Sequence, residues 1–184
     1  MHYIEVEKKF ALPDPGPLKT RLKELGAEPD TPTHQVDTYY TAPHRDFSAP
    51  AIISEWLRVR IQDGASSINY KLWHPTNATA KTHADEYETK VEDVEAIRRL
   101  LDALNFPPLI TVEKIRQAWQ LPDVEVAFDH VAGAGSFVEF EFTGDAATVE
   151  QAAEQLEAFI VSLNVALGVP INRGYPHMLL NRER

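Results

Sequence analysis

The sequence predicts an α+β fold, a closed β-barrel with flanking helices, from three observations. First, charged residues recur with period two in separate segments. These are Glu5, Glu7 and Lys9 in IEVEKKF, Arg58 and Arg60 in EWLRVR, Glu86 and Glu88 in DEYET, Lys114 and Arg116 in EKIRQ, and Glu139 and Glu141 in FVEFEF. Strand side chains alternate between faces, so each set shares one face. Second, the intervening residues are largely apolar. Both faces are then occupied, with apolar side chains toward a surrounding shell and charges toward a shared interior, as a barrel allows. Third, strand-like segments are numerous and helical stripes few.

Eight strand-like segments lie near 2–10, 35–42, 55–62, 67–74, 84–90, 110–121, 123–130 and 136–143. Asp63-Gly64 suits a hairpin turn between the third and fourth, and Pro122-Asp123 a turn between the sixth and seventh. Helical periodicity joins Leu18, Leu22 and Leu25, ending at Gly26. It joins Val94, Ile97, Leu101 and Leu104, ending before Pro107-Pro108. It runs longest from Val149 through Leu156 and Leu163 to Leu167, closed by Gly168 and Pro170. A short tail helix is expected after Pro176. Residues 41–50 and 75–84 read as loops, the second long enough to be a flap over a ligand.

The 184 residues are expected to form one domain spanning 1–184. There is no cysteine, which excludes thiolate nucleophiles and thiolate metal sites. A net charge of -10 argues against a general nucleic-acid or anionic-membrane surface. No apolar run of membrane-spanning length and no signal-peptide pattern is present, so a cytoplasmic location is expected.

Alternation places Lys9, Arg58, Arg60, Lys71, Lys114 and Arg116 inward, with Glu5, Glu7, Glu86, Glu88, Asp129, Glu139 and Glu141. A buried charge costs several kcal/mol unless it is paired or ligated, so packing alone does not account for them. A polyanion with a divalent metal does. Arg and Lys from several strands clamp phosphates, and clustered carboxylates hold hard cations such as Mg²⁺ or Mn²⁺. That chemistry suits phosphoryl or nucleotidyl transfer.

Glu5-x-Glu7-x-Lys9 resembles the ExExK signature of the CYTH family, the triphosphate tunnel enzymes. QVDTYYTAPHRDF (35–47), EWLRVR (55–60), NYKL (69–72), DEYET (85–89), VEKIRQAWQL (112–121) and FDHVAGAGSFVEFEF (128–142) resemble the family's later blocks in order. The resemblance implies an eight-stranded antiparallel tunnel that binds a triphosphate substrate with Mg²⁺ or Mn²⁺. It implies Glu5, Glu7, Asp129, Glu139 and Glu141 as metal-side carboxylates, to which inward parity adds Glu86 and Glu88 as candidate metal ligands, and it implies Arg58, Arg60, Lys71, Lys114 and Arg116 as phosphate ligands. Lys9 would be a phosphate ligand or a base for the attacking water, so Lys9, Glu5 and Glu7 are the catalytic candidates. Dimerisation is an option the family uses.

The family includes class IV adenylate cyclases, thiamine triphosphatases and inorganic tripolyphosphatases. APHRDF and DHVAGAGSFVEFEF look most like the cyclase group. Two departures pull away from it: the His-Phe pair ahead of ExExK has no counterpart, and Trp56 precedes LRVR as in animal-type thiamine triphosphatases. Trp56 and Trp73 are expected to stack on an organic moiety, with lid or rim packing as the alternative. Trp119 is expected to fill the core. Arg173 is a further candidate phosphate ligand, and His177 a candidate for closing the tunnel floor.

The leading expectation is a metal-dependent phosphohydrolase acting on an organic triphosphate or tripolyphosphate. Adenylate cyclase is the close alternative. A non-catalytic polyphosphate or nucleotide sensor, and a tunnel redirected to another phosphorylated metabolite such as a diphosphate, stay open.

Overall fold

The computed structural model describes residues 4–180. The start of the expected first strand, with His2, lies outside them. The chain forms an antiparallel barrel from β1 (Ile4–Glu5), β2 (Glu7–Ala11), β3 (Thr33–Tyr40), β4 (Glu55–Gln62), β5 (Ala65–His74), β6 (His83–Val91), β7 (Pro108–Gln120), β8 (Val124–Val131) and β9 (Gly135–Phe142). Four helices accompany it: α1 (Gly16–Glu24), α2 (Val94–Ala103), α3 (Val149–Ser162) and α4 (Tyr175–Leu180).

The strand order is β1-β6-β5-β4-β3-β7-β8-β9-β2. The expectation of eight strands is corrected to nine, because the first splits at Val6. β1 pairs with β6 and β2 with β9, so the chain changes partner at this residue and thereby joins the two edges of the sheet. Val6 buries its side chain in the outer core, and its carbonyl accepts a bond from the Phe142 amide at 2.9 Å.

Local chemistry explains the boundaries. Asp63 and Gly64 both adopt positive φ, 48° and 85°, as a two-residue hairpin between right-twisted strands requires. Gly26, at φ 81°, ends α1, and its amide bonds the Lys23 carbonyl at 2.9 Å. Asp93 caps α2 through the Ala96 amide, and Thr148 caps α3 through the Gln151 amide. α3 is shorter than its apolar stripe suggests. Asn164 turns left-handed at φ 51°, and Val165 and Leu167 then pack on the same core from an extended segment.

Outward residues of β7, β8 and β9 meet α1 and α3 in the main core, built on Leu18, Leu22, Trp119, Val126, Val138, Phe140 and Leu156. Trp119 fills that core as expected. α2 covers Val59 and Tyr40 through Leu101. The shell therefore consumes the apolar parity of the strands and leaves the charged parity inside. Phe140 is fully buried, edge-on to Phe10 and Phe159. Phe140→Ala should lower unfolding stability by about 3–5 kcal/mol, read as a fall in urea midpoint at unchanged slope.

Candidate functional site inside the barrel

Glu5, Glu7, Lys9, Arg58, Lys71, Glu86, Lys114, Arg116 and Glu139 line one internal cavity of about 80 Å³. They come from seven strands, each projecting by the period-two rule. The expected residues are not mixed evenly along this interior. They separate into an acidic and a basic pole.

At the acidic pole Lys71 stands among carboxylates. Its ammonium pairs with Glu5, with Glu7 at 3.3 Å and with Glu86 at 3.5 Å. Glu141 sits opposite Glu7 in the β2–β9 ladder. Four carboxylates thus face one ammonium, with Arg58 reaching Glu86 only at 3.7 Å. The imbalance shows in their titration. Burial, with Glu7 and Glu86 nearby, raises the Glu5 carboxyl well above its usual range despite Lys71. The hydrogen bond between the Glu5 and Glu86 carboxyls adds to the rise of Glu5 and helps to lower Glu86. Burial and Glu7 push Glu141 up to about 7. Glu5 Oε2 is buried without a hydrogen bond, although Lys71 neutralises part of its charge.

At the basic pole the excess has the opposite sign. Arg60 makes a fork of two 2.7 Å bonds to Asp37, and Arg58 approaches the same carboxylate at 3.7 Å. Arg116 holds Asp129 at 2.8 and 2.6 Å and also bonds Glu139. Lys9 pairs with Glu139 at 2.8 Å, and Lys114 reaches Asp129 only at 3.8 Å. Five cations share three carboxylates. Burial works against the charge of Lys9, but Glu139 and Glu7 hold it above the ordinary lysine value. For Lys114, burial and the adjacent Arg116 win, and its ammonium is lowered to about 7. Burial would raise Asp37, yet Arg60 and Arg58 hold it at about 2. Arg58 Nε is buried and unbonded.

Not every expected residue faces the cavity. Arg60 and Asp129 stand behind it, occupied by Asp37 and by Arg116 respectively. Asp129 also accepts from the Tyr175 hydroxyl at 2.7 Å. Glu88 is exposed, bonded to Ser67, and lines an outer acidic pocket with Glu5, Glu86 and Glu141. Trp56 is 5% exposed, edge-on to Tyr39 with ring centroids 5.5 Å apart. Trp73 is half-buried, its ring 4.4 Å from Lys71 Nζ.

Four residues at the site lay outside the sequence-derived set. Asp37, Tyr39 and Asn69 share the inward parity of their strands, so QVDTYY and NYKL carried the signal. Asn69 is 2% exposed and bonds Glu86. Tyr175 comes from the tail. Its ring lies 4.1 Å from Lys9 Nζ and 5.0 Å from Lys114 Nζ. With Tyr39, Trp56, Val112, Val131 and Phe137 it forms an apolar plug, and this tyrosine, rather than His177, closes the interior.

The oxygen-only donors of the acidic pole suit a hard divalent cation. Among the described residues no three acidic or histidine side chains already converge on one ion position. Four carboxylates around the single Lys71 ammonium, with Glu5 and Glu141 raised by their crowding, leave a deficit of positive charge that such an ion would fill.

Residues 3–175 match the CYTH domain model. The chain belongs to the CYTH family. A Methanocaldococcus jannaschii protein named as a candidate adenylate cyclase is 31% identical over 173 residues, covering 94% of this chain and 96% of that one. A solved Pyrococcus horikoshii protein is 29% identical, with a TM-score of 0.80 over 97% of this chain and 99% of that one. A Hippeastrum protein, named as a candidate adenylyl cyclase with a dominant triphosphatase activity, shares the fold. It has a TM-score of 0.62 and 16% identity, over 98% of this chain and 95% of that one. No helix among the described residues is long and apolar enough to cross a membrane.

The charge crowding is testable without a ligand. Glu141 has a folded pKa above its unfolded value, so the folded state binds the extra proton. Stability is therefore lost as pH rises from about 4.5 through about 7. Glu141→Gln should stabilise the metal-free protein at pH 8, on the order of 3 kcal/mol at about 1.4 kcal/mol per pKa unit, and change little at pH 4. Chemical denaturation at both pH values checks this.

Proposed function

We propose that this protein is a divalent-metal-dependent enzyme that cleaves a P–O–P linkage of a triphosphate held inside the barrel, by hydrolysis of an organic triphosphate or tripolyphosphate. The separation of an acidic and a basic pole within one cavity carries this reading. A phosphate chain answers the cation excess and a metal ion the carboxylate excess. CYTH tunnel enzymes generally work with divalent metals, which supports the second half of the pairing.

Glu5, Glu7, Glu86 and Glu141 would hold Mg²⁺ or Mn²⁺. The ion would supply charge neutralisation and Lewis acidity at the phosphate oxygens. Arg58, whose Nε has no partner, and Arg116 would bind phosphate oxygens through their planar forks, while Lys9, Lys71 and Lys114 act as point charges. Lys9, held protonated by Glu139 and Glu7, would serve as a phosphate ligand rather than as a base. Asp37 and Asp129 would fix the arginines. In hydrolysis a water oxygen bonds the terminal phosphorus in line, the bridging P–O bond breaks, and the diphosphate portion leaves with the bond electrons.

A second reading is cyclisation of ATP, favoured by the name of the 31% identical Methanocaldococcus jannaschii relative. There the 3′-hydroxyl attacks the α-phosphorus and pyrophosphate departs. Orthophosphate without cyclic AMP supports hydrolysis, cyclic AMP with pyrophosphate supports cyclisation, and neither product from any triphosphate overturns both. Glu5→Gln and Glu7→Gln should each reduce kcat by at least a hundredfold and weaken the response to added metal. Full activity in both would remove the metal assignment. Arg58→Ala should weaken triphosphate binding by about 2–3 kcal/mol, the scale of a charge-assisted contact, measured by calorimetry.

A further inference from the structure

Beside the charged interior lies a larger cavity of about 470 Å³, within the range of small-molecule pockets, about 300–1,000 Å³. The two share Glu7, Lys9, Trp56, Trp73 and Gly174, so a molecule whose phosphates enter the barrel would leave its remaining part here. Ile53, Trp73 and Ile171 give this outer cavity an apolar wall.

Its charges are unbalanced. Lys8 is neutralised by Glu157. Lys81 is not: its ammonium donates to the Ser54 hydroxyl at 2.6 Å and the Pro75 carbonyl at 2.8 Å, both uncharged. The guanidinium of Arg173 meets no carboxylate among the described residues, and its own backbone carbonyl accepts a bond from Lys9 at 3.4 Å. Lys81 sits on the β5–β6 loop and Arg173 on the segment entering α4, so two remote parts of the chain bring to one cavity cations that have no counter-ion among the described residues.

We propose that Lys81 and Arg173 are specificity-determining residues that form a cationic filter at the mouth of the barrel. This rests on the interior being a triphosphate site. The filter admits an organic group that is uncharged and rich in hydrogen-bond acceptors, such as a nucleobase, and rejects a cationic heterocycle such as a thiazolium. A desolvated cation placed beside two cations without counter-ions is disfavoured by like-charge repulsion, which is how binding sites exclude a competitor. Both side chains are donors only, which matches the ring nitrogens and carbonyls of a base, and Arg173 can also lie flat on an aromatic plane. A bare tripolyphosphate would leave the apolar wall unused.

The test compares kcat/KM for ATP, thiamine triphosphate and tripolyphosphate in the wild type, Lys81→Gln, Arg173→Gln and Arg173→Lys, with Kd for each from tryptophan fluorescence titration. The wild type should favour ATP over thiamine triphosphate at least tenfold. Lys81→Gln and Arg173→Gln should each shrink that ratio at least fivefold, and Arg173→Lys should preserve it. Parallel losses on all three substrates would show general phosphate attraction and overturn the filter while leaving the triphosphate site intact. Thiamine triphosphate equal to or better than ATP in the wild type would overturn it equally. If the wild type neither binds nor turns over any of the three, the triphosphate reading fails and the filter with it.

Discussion

Closure of the barrel at Val6 is the constraint on which everything else depends. A strand that pairs with β6 before Val6 and with β9 after it links the two edges of the sheet into a nearly closed barrel, so the inward parity of the strands shares one space. An open sheet could solvate Glu5, Glu7, Lys71 and Glu86 separately. The closed one forces them against each other at low dielectric, where both pairing and repulsion are strong. The raised Glu5 and Glu141 and the lowered Lys114 all follow from that confinement. Each pole is short of the charge it would need, and the missing charges have the signs of a metal cation and a polyanion.

The helices serve the same constraint from outside. α1 and α3 cover the apolar parity of β7, β8 and β9, and α2 covers β4, so the polar parity has only the interior left. α4 differs in kind. It sends Tyr175 into the barrel, where the ring lies over two lysines and the hydroxyl bonds Asp129. An aromatic face against ammonium groups is a favourable contact that needs no counter-ion, which suits a plug at the basic end.

Much of this was legible in the sequence, because a barrel strand uses both faces and writes a period-two code. Arg58 with Arg60 and Glu139 with Glu141 announced their faces directly. The same rule covered Asp37 and Tyr39, which a search for charge doublets passes over, since Asp37 is the lone charge in its strand. Val6 gave no signal, because a change of pairing partner leaves alternation intact. α3 was overextended because Val165 and Leu167 reach the same core from an extended segment after Asn164. Tyr175 was hidden for a further reason: its role depends on a tail returning to strands far away in sequence. Nor does alternation reveal which inward charges reach the cavity. Arg60 and Asp129 are inward, yet each is consumed by a partner of opposite sign.

The most direct test of the central claim is diffraction from crystals holding Mn²⁺ and a non-hydrolysable triphosphate analogue. Anomalous scattering should place manganese against Glu5, Glu7 or Glu86, with the phosphates against Arg58, Arg116 and the interior lysines. Manganese and phosphates bound only outside the barrel, with Lys71 still seated among its carboxylates, would contradict the account.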